Sequence, residues 1–316
     1  MSLSIPEKVQ VKVPASTANL GPGYDVFGLA FQFYNQLEVQ IENSQKESHQ
    51  NLQLEIEGEG STSLPLNEQN IIWKCMRMVF QKQKFPFKKY NFKVQCMNRI
   101  PLARGLGSSA AAQLSGILAG NAICGQPLNQ NQVLNLAVEM EGHPDNVVPQ
   151  LLGGLCISGM VGKSAQFLKF KMPSQLVAVV CVPEFELSTK KARAVLPKHI
   201  LHQDAVFNVS RASWLLGSLL KRDFGNLKHA MQDRLHQVYR KKLVPGYDIV
   251  EYNAYQKGAW GVALSGAGPS MLALSSLQNA NSVGVAMENG FKKAGYSSKS
   301  LMLKFDQKGA VVQVYN

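Results

Sequence analysis

A glycine- and serine-rich segment between a predicted strand and a predicted helix has residue types suited to binding phosphate. We call residues 101–110, which read PLARGLGSSA, the glycine–serine loop. Glycines in such a turn let backbone N–H groups approach a ligand closely, because no Cβ intervenes. The start of the following helix adds unpaired N–H donors and a partial positive charge. Ser108 and Ser109 supply hydroxyls for phosphate oxygens or Mg²⁺, although a helix cap on a tight turn explains Ser108 equally well.

Residues 139–146, which read EMEGHPDN, gather three carboxylates, an imidazole and an amide around a predicted helix break. Phosphoryl transfer needs an acidic metal ligand and a group that orients or deprotonates the attacking hydroxyl. A carboxylate at a helix end and a second one at the next helix start are suited to these two roles. Helix-start electrostatics also explain Asp145 and a solvated helix face also explains Glu139, so this segment alone leaves both interpretations open.

Two further segments carry short polar side chains on turns that contain glycine and proline. Residues 14–25 read PASTANLGPGYD, follow the first predicted strand and suit a small polar substrate. Their polar groups are Ser16, Thr17, Asn19 and Asp25. Residues 265–270 read SGAGPS between two predicted strands, where they form either a bent hairpin or a loop that closes over a ligand.

Two other nucleotide-binding patterns fail on spacing. Residues 105–110 fit the dinucleotide fingerprint G-x-G-x-x-A, but its acidic residue about 20 positions later is missing, since none occurs before Glu139. The sequence GKS at 162–164 ends like a P-loop, but Ile157 stands where that loop requires its first glycine. Nicotinamide binding and a P-loop are therefore excluded.

The charge of the chain is unevenly distributed. The 316 residues include 33 Lys and Arg against 21 Asp and Glu, a formal net charge of +12. Residues 69–138 contain many basic residues and no acidic one, a field that suits a polyanion. Aromatic residues in this stretch keep nucleic-acid binding open, but the glycine–serine loop gives the charge a simpler use. We expect a nucleotide ligand and no nucleic-acid partner.

Cysteine usage and hydropathy indicate the compartment. The five cysteines are scattered and form no C-x-x-C pair, which argues against disulfides and a thiolate zinc site. Residues 1–16 lack the basic start and apolar stretch of an export signal. No apolar run approaches the roughly 20 residues that cross a bilayer. We expect a cytoplasmic protein with no membrane partner.

Hydrophobic periodicity predicts an α+β protein. Predicted strands cover residues 8–13, 33–41, 52–57, 91–97, 155–158, 166–170, 176–182, 261–264 and 271–274, followed by terminal strands. Predicted helices cover residues 70–83, 108–124, 132–141, 205–220, 227–237, 247–257 and 280–294, with a further short helix from Pro144. The polar residues 45–50 are typical of a hairpin tip. A boundary predicted within 159–174 divides the chain into domains of residues 1–165 and 166–316.

The four segments, in this order, resemble those of the GHMP kinases, the family of galactokinase, homoserine kinase, mevalonate kinase and phosphomevalonate kinase. The family's phosphate loop P-x-x-x-G-L-G-S-S-A is met at residues 101–110, and its late glycine loop at 265–270. Within the family, the patterns at residues 14–25 and 141–146 are those of the homoserine kinase branch. The resemblance runs from about Val9 to at least Leu274.

This resemblance implies a two-domain GHMP kinase fold with the nucleotide between the domains. The N-terminal nucleotide-binding domain, 1–165, would be ribosomal S5 domain 2-like, and the C-terminal domain, 166–316, ferredoxin-like. The implied activity is ATP-dependent phosphorylation of the side-chain hydroxyl of L-homoserine to O-phospho-L-homoserine, a step of threonine biosynthesis, with Mg²⁺ as cofactor. The assembly stays open, with a homodimer as one option.

The resemblance assigns the phosphates and the metal to matching positions. The ATP phosphates would be cradled by Pro101, Leu102, Ala103, Arg104, Gly105, Leu106, Gly107, Ser108, Ser109 and Ala110. Mg²⁺ would be held by Ser109, preferred to Ser108, and by Glu141. Glu141 is preferred to Glu139 because it directly precedes the glycine of the EGHPDN pattern.

The resemblance also implies the amino-acid site. Its lining residues would be Asn19, Asp25, His143, Asp145 and Gly266. Asp25 would face the substrate ammonium. Arg193 and Arg240 resemble the two arginines that clamp the substrate carboxylate in this family, a task suited to the planar guanidinium.

The implied catalytic residues are Asp145, Asn19 and Arg193. Mevalonate-type members activate the hydroxyl with an aspartate–lysine pair, but Ser16 stands at the lysine position here. We hypothesise that positioning and charge neutralisation dominate, with Asp145 orienting the hydroxyl. A kinase for another small alcohol and a non-catalytic ligand sensor of the same fold are the alternatives.

Overall fold

The structure is a computed structural model that describes residues 5–44 and 52–316. The strands are β1 (Lys8–Asn19), β2 (Gly23–Asn43), β3 (Leu52–Gly58), β4 (Tyr90–Asn98), β5 (Leu155–Val161), β6 (Ser164–Phe170), β7 (Leu176–Pro183), β8 (Gly261–Leu264), β9 (Met271–Ser276), β10 (Ser298–Leu303) and β11 (Val311–Tyr315). The helices are α1 (Ile71–Lys82), α2 (Ser108–Ile123), α3 (Gln130–Glu141), α4 (Pro144–Leu152), α5 (Thr189–Ala194), α6 (His202–Lys221), α7 (Leu227–Ala230), α8 (Gln237–Arg240), α9 (Tyr247–Gln256) and α10 (Leu277–Lys293). The hairpin tip predicted over 45–50 lies outside the described residues.

The larger sheet has seven strands and carries helices on one face. Its order is β11-β1-β2-β4-β3, and β5 pairs with β2 and carries β6. Alternate residues of β1, namely Val9, Val11 and Val13, are fully buried or nearly so, as the two-residue period of a half-buried strand requires. They share one hydrophobic core with Leu114 and Ile117 of α2. The helix that begins at the glycine–serine loop is therefore anchored directly on this sheet.

The smaller sheet has the order β10-β7-β9-β8 and is covered on both faces. Ala178 and Val180 of β7 belong to the core of the larger sheet, whereas Val177 and Val179 pack in a second core with residues of α9 and α10. A strand buried on both faces reads as an unbroken apolar run rather than an alternating one, which explains the sequence LVAVVCVP. The two sheets thus share one continuous interior.

The segment at 14–25, predicted as a loop, is mostly strand. β1 continues through Asn19 and β2 begins at Gly23, so that only a tight turn at residues 20–22 remains. Asn19 and Leu20 take left-handed conformations, with φ of 72° and 49°, which reverse the chain sharply. Consecutive Ser16 and Thr17 are both fully buried, so this part of β1 does not alternate between polar exposed and apolar buried residues, and the alternation pattern did not predict it.

The single helix predicted over 227–237 is wrong. The structure has two four-residue helices, α7 and α8, separated by residues 231–236. The Asp233 carboxylate accepts hydrogen bonds from the backbone N–H groups of Leu235, His236 and Gln237. An aspartate that binds these amides replaces intrahelical bonds and starts a new helix, so it interrupts the old one.

The α+β prediction is confirmed, with two sheets and helices around them. β6 belongs wholly to the larger sheet, and β11 returns to its edge beside β1. The boundary predicted between residues 165 and 166 falls inside β6, and the division into 1–165 and 166–316 stays a prediction. Among the described helices, none has the length and apolar character of a transmembrane span.

Candidate active site

One cleft brings the four chemically suggestive segments together. Its walls come from the glycine–serine loop, the end of β1, the junction of α3 and α4, and the turn between β8 and β9, joined by α5 and α8. Nearly all predicted site residues line it; Leu102 and Ala110 do not, and Ala110 is fully buried.

The backbone of the glycine–serine loop is held by the protein behind it. Gly105 and Gly107 have φ of 75° and 70°, and a Cβ would collide with the carbonyl oxygen of Ser265 at the first and with the Ser16 hydroxyl at the second. The Ser265 hydroxyl donates to the Gly105 oxygen at 2.7 Å, and Gln150 Nε2 donates to the Gly107 oxygen at 2.8 Å. Both positions therefore require glycine.

Helix α2 begins at this loop without a side-chain cap. Gly107 is the residue before its first turn and offers no capping group. The first N–H groups of a helix have no intrahelical acceptor and carry a partial positive charge. Ser108 and Ser109 both line the cleft, but Ser108 is buried and its hydroxyl donates to the Ile100 oxygen at 3.2 Å, whereas the Ser109 hydroxyl lies beside Glu141. The loop and helix start can bind an anion.

Ser109 and Glu141 form an oxygen pair across the cleft. The Ser109 hydroxyl lies 3.2 Å from Glu141 Oε2, and Gln113 Nε2 donates to the same carboxylate oxygen at 2.8 Å and to the Ser109 hydroxyl at 3.1 Å. Burial raises the pKa of Glu141, against the opposing effects of His143 and of these hydrogen bonds. Glu139, two residues before the end of α3, is exposed and does not line the cleft.

This oxygen pair fits a hard divalent cation. Mg²⁺ keeps most of its waters and takes one or two protein oxygens together with substrate phosphates. The described residues contain no group of three or more acidic, histidine or cysteine side chains that could hold a metal ion. The buried Gln113 Oε1 has no hydrogen-bond partner within the described chain. This oxygen lies beside the Ser109–Glu141 pair and could accept a hydrogen bond from a water of a hydrated ion.

Asp145 lies at the start of α4, where Pro144 occupies the first helical position. Its side chain is almost fully buried, and its Oδ1 lies 2.9 Å from His143 Nδ1. This hydrogen bond with Asp145 raises the pKa of His143, against the effect of burial. Both residues line the cleft beside Glu141, so three titratable groups meet at this point.

Asp25 and Arg193 form a two-pronged ion pair at the cleft. Arg193 Nη2 donates to Asp25 Oδ1 at 2.8 Å, and Nη1 donates to Oδ2 at 3.0 Å. Nη1 also donates to the Tyr24 hydroxyl at 2.9 Å. The predicted ammonium partner and one predicted carboxylate clamp are therefore paired with each other.

Arg240 is buried and rigidly oriented. It is 2 % exposed, and its Nε donates to the Ala192 oxygen at 3.1 Å. Its Nη1 lies 3.2 Å from His236 Nδ1, and since a guanidinium only donates, that imidazole nitrogen must accept. His236 therefore carries its proton on Nε2, which donates to the Gly21 oxygen at 2.8 Å.

Asn19 joins these groups to the turn between β8 and β9. Its Nδ2 donates to the Gly266 oxygen at 2.8 Å, and its Oδ1 accepts from the Asp25 N–H at 2.9 Å. Arg240 Nη1 approaches the same Gly266 oxygen at 3.4 Å. The cleft thus places two guanidinium groups and one carboxylate a short distance from the anion-binding loop.

Comparison with known proteins gives the family of the chain. Residues 70–154 match the family model of the GHMP kinases N-terminal domain, and residues 215–293 match that of the GHMP kinases C-terminal domain. The chain belongs to the GHMP kinase family. The predicted two-domain fold of this family is thereby confirmed, as is the predicted kinase character.

This GHMP kinase is similar over nearly its whole length to homoserine kinases. It is 40% identical to the homoserine kinase of Carboxydothermus hydrogenoformans over 96% of both chains, and 39% identical to that of Microchaete diplosiphon over 98% of both. The crystal structure of homoserine kinase from Cytophaga hutchinsonii superposes with a TM-score of 0.86 at 28% identity, covering 99% of both chains. A mevalonate kinase from L. major, with a TM-score of 0.75 at 16% identity, shares the fold.

Three residues that support the candidate site were not predicted from the sequence. Gln113 follows Ser109 by four positions on α2, and His236 precedes Arg240 by four, so a helical offset from a predicted residue was the available signal. Tyr24, which stacks on the His236 ring at 5.2 Å between centroids, adjoins the predicted Asp25. Each of the three supports a predicted residue.

Proposed function

We propose that this GHMP kinase transfers the γ-phosphoryl group of ATP to the side-chain hydroxyl of L-homoserine, giving O-phospho-L-homoserine and ADP. One observation carries the choice of substrate: the cleft presents Arg193, Arg240 and Asp25 together beside the phosphate-binding loop. Two guanidinium groups and a carboxylate complement an amino acid that carries one carboxylate and one ammonium. The homoserine kinases found among the relatives support the same substrate.

The phosphates of ATP are assigned to the glycine–serine loop. Its glycines let the backbone approach the phosphates, and the uncapped start of α2 stabilises negative charge there. The bonds from Ser265 and Gln150 to the loop carbonyl oxygens keep this backbone in place before ATP binds. A preformed anion site of this kind costs no reorganisation during the reaction.

The residues that would hold Mg²⁺ are Ser109 and Glu141. When bound there with ATP, the ion supplies neutralisation of the phosphate charge that develops in phosphoryl transfer. Glu141 contributes the negative charge of the site, and Ser109 contributes a neutral oxygen 3.2 Å from it.

Arg193 and Arg240 bind the carboxylate of homoserine and Asp25 binds its ammonium, which fixes the direction of the side chain. Asn19 and Gly266 line the same part of the cleft. Their hydrogen bond joins the end of β1 to the turn between β8 and β9. The substrate hydroxyl then faces Asp145 and the loop. Holding the hydroxyl and the phosphate in reacting geometry removes much of the entropic barrier.

Asp145 orients the hydroxyl rather than acting with a lysine. Its partner across the short helix start is His143. Ser16, at the position of the catalytic lysine in mevalonate-type members, is fully buried and donates to Asn146 Oδ1 at 2.9 Å. The side chains of Asn19 and Arg193 complete the catalytic set by positioning and by neutralising charge.

A parallel assay of four alcohols tests this function. ADP release is measured with Mg²⁺ and ATP in the presence of L-homoserine, L-serine, mevalonate or galactose, with no added alcohol as the blank. We expect turnover above the blank with L-homoserine, and the largest kcat/KM with it. Turnover with another alcohol but none with L-homoserine would overturn the substrate assignment and leave the kinase assignment standing. If none of the four alcohols gave turnover above the blank, the ligand sensor would be favoured.

We also propose a cytoplasmic location, because all five cysteines are free and buried. A homodimer stays a prediction, which size-exclusion chromatography with light scattering tests directly.

A further inference from the structure

Helix α2 carries one long polar side chain that faces the metal-binding pair. Gln113 lies one helical turn after Ser109, so the two side chains share a face. The interior of the helix is otherwise built largely from small and apolar residues, and Gln113 is only 7 % exposed. A buried amide in such surroundings is costly unless it is hydrogen-bonded, which makes its partners informative.

Both N–H groups of the Gln113 amide are used at this pair. Nε2 donates to Glu141 Oε2 at 2.8 Å and to the Ser109 hydroxyl at 3.1 Å. An ionised carboxylate only accepts, so the amide must present nitrogen rather than oxygen to Glu141. The amide keeps this orientation although Oε1 is left buried and without a partner in the described chain. The contact with Glu141 therefore decides the position of the side chain.

Apart from its electrostatic interaction with His143, the Glu141 carboxylate has few other groups that hold it in place. Glu141 is the last residue of α3, and Gly142 follows it in a left-handed conformation with φ of 91°. A Cβ on Gly142 would meet no atom within 4 Å, so nothing packs against that side of the turn after Glu141. Among the described residues, only Ser109 and Gln113 donate hydrogen bonds to the Glu141 carboxylate.

We propose that Gln113 is a positioning residue for the divalent cation, which holds the Glu141 carboxylate and the Ser109 hydroxyl in the arrangement that the cation needs. The inference rests on the metal site of the proposed function. Gln113 crosslinks the start of α2 to the end of α3 through one amide group. Without it, the carboxylate at a helix end must be ordered when the cation binds, and the affinity falls.

Binding of Mn²⁺ tests the proposal without turnover. Free Mn²⁺ is measured by electron paramagnetic resonance in titrations of the protein with ADP, for the wild type and for Gln113→Leu, which removes both donors at similar size. We expect about tenfold weaker Mn²⁺ binding, since losing a residue that supports metal ligands typically costs about 10- to 100-fold in affinity. Ser115→Ala, which deletes another buried polar group of α2, is the matched control and should bind Mn²⁺ as the wild type does.

Kinetics separate positioning from a general structural role. In Gln113→Leu the Mg²⁺ concentration for half-maximal rate should rise by the same factor of about ten, while kcat at saturating Mg²⁺ and the KM for homoserine stay within about twofold of the wild type. A general loss of packing would instead change KM and the melting temperature. If Gln113→Leu does not fold, Gln113→Met, which keeps an unbranched side chain, is measured for the same outcomes.

Glu141→Ala distinguishes failure of the inference from failure of the metal site. If Glu141→Ala weakens Mn²⁺ binding and Gln113→Leu does not, Gln113 has no positioning role and the site stands. If neither variant weakens it, the metal site itself is misplaced. In the Glu141→Ala background, the proposal requires that Gln113→Leu adds little further loss, because the group that it positions is gone.

Discussion

The Arg193 guanidinium and the Asp25 carboxylate meet edge to edge, with Nη2–Oδ1 and Nη1–Oδ2 distances of 2.8 and 3.0 Å. Only a planar fork can make both bonds at once. In Arg193→Lys, a point charge replaces the fork, so we expect the KM for homoserine to rise about 10- to 100-fold and kcat to change less. Steady-state kinetics at saturating ATP measure this.

The control for this change is Arg234→Lys, because Arg234 forms an ion pair with Asp204 at 3.1 Å and does not line the cleft. It should keep the wild-type KM. An unchanged KM in Arg193→Lys would remove Arg193 from the substrate site.

Asp25→Asn tests the assignment of the substrate ammonium. The variant keeps the shape of the side chain but loses its charge, so kcat/KM for homoserine should fall at least about tenfold. The fall should be much smaller for 4-hydroxybutyrate, which has the hydroxyl and the carboxylate but no amino group. Equal losses with both substrates would show that Asp25 acts through Arg193 and does not contact the ammonium.

Asp145→Asn tests the chemical step. If Asp145 orients the hydroxyl, an amide of the same size retains part of this function, and kcat should fall about 10- to 100-fold with substrate affinity little changed. Single-turnover kinetics with a separate binding measurement give the two quantities. Complete loss of turnover at unchanged affinity would instead make Asp145 an essential base.

Gly105→Ala should cost both stability and ATP binding. The new Cβ meets the Ser265 carbonyl oxygen at a φ of 75°, whereas in Gly162→Ala it meets nothing within 4 Å at a φ of 61°. The control variant should lose about 1 kcal/mol of unfolding free energy from the conformation alone, and Gly105→Ala about 2 kcal/mol more. Urea unfolding and the KM for ATP measure the difference; equal stabilities would contradict the close contact.

His236 should make the protein less stable in mild acid. Burial, joined by Arg240, lowers the pKa of His236 against the effect of Asp233. The unfolded chain then binds more protons than the folded one below the unfolded pKa of about 6.5. The contribution of neutral His236 to the free energy of unfolding is fully present above that pH. It is lost as the pH falls below it, by up to about 1.4 kcal/mol per pH unit.

The measurement is the free energy of unfolding in urea at several pH values between about 7.5 and 5.5. His236→Gln should flatten the acid decline relative to the wild type, and His229→Gln, a change at an exposed histidine, should not. Parallel curves for wild type and His236→Gln would mean that His236 does not titrate differently on folding.

Elements with local signals could be predicted closely from the sequence. Helix α1, predicted over 70–83, spans Ile71–Lys82, because Asn70 caps it by accepting from the Ile72 N–H. Helix α2 begins at Ser108 as predicted, behind the positive φ of Gly107. The lengths of β1 and β2, and the return of β11 to the larger sheet, depend on partners far along the chain, which periodicity does not contain.

The residues of the candidate site also divide into those with a local sequence signal and those that depend on distant partners. Residues on recognisable motifs, such as Ser109 and Glu141, could be named from the sequence, and the structure brings them within 3.2 Å. Gln113 and His236 were missed, because their only local signal is a four-residue offset from Ser109 and Arg240, which does not distinguish a buried partner from any other residue at that spacing. The pairing of Asp25 with Arg193 joins residues 168 positions apart, which no local signal predicts.

The chain passes from the larger sheet to the smaller one at residues 171–175 and returns at 304–310. The two sheets are therefore joined by two covalent crossings and by the core that they share, since Ala178 and Val180 of β7 pack with the larger sheet. A motion that parted the sheets would expose these buried side chains to water. A single proteolytic cut at either crossing would leave the sheets joined by the other crossing and by this common core.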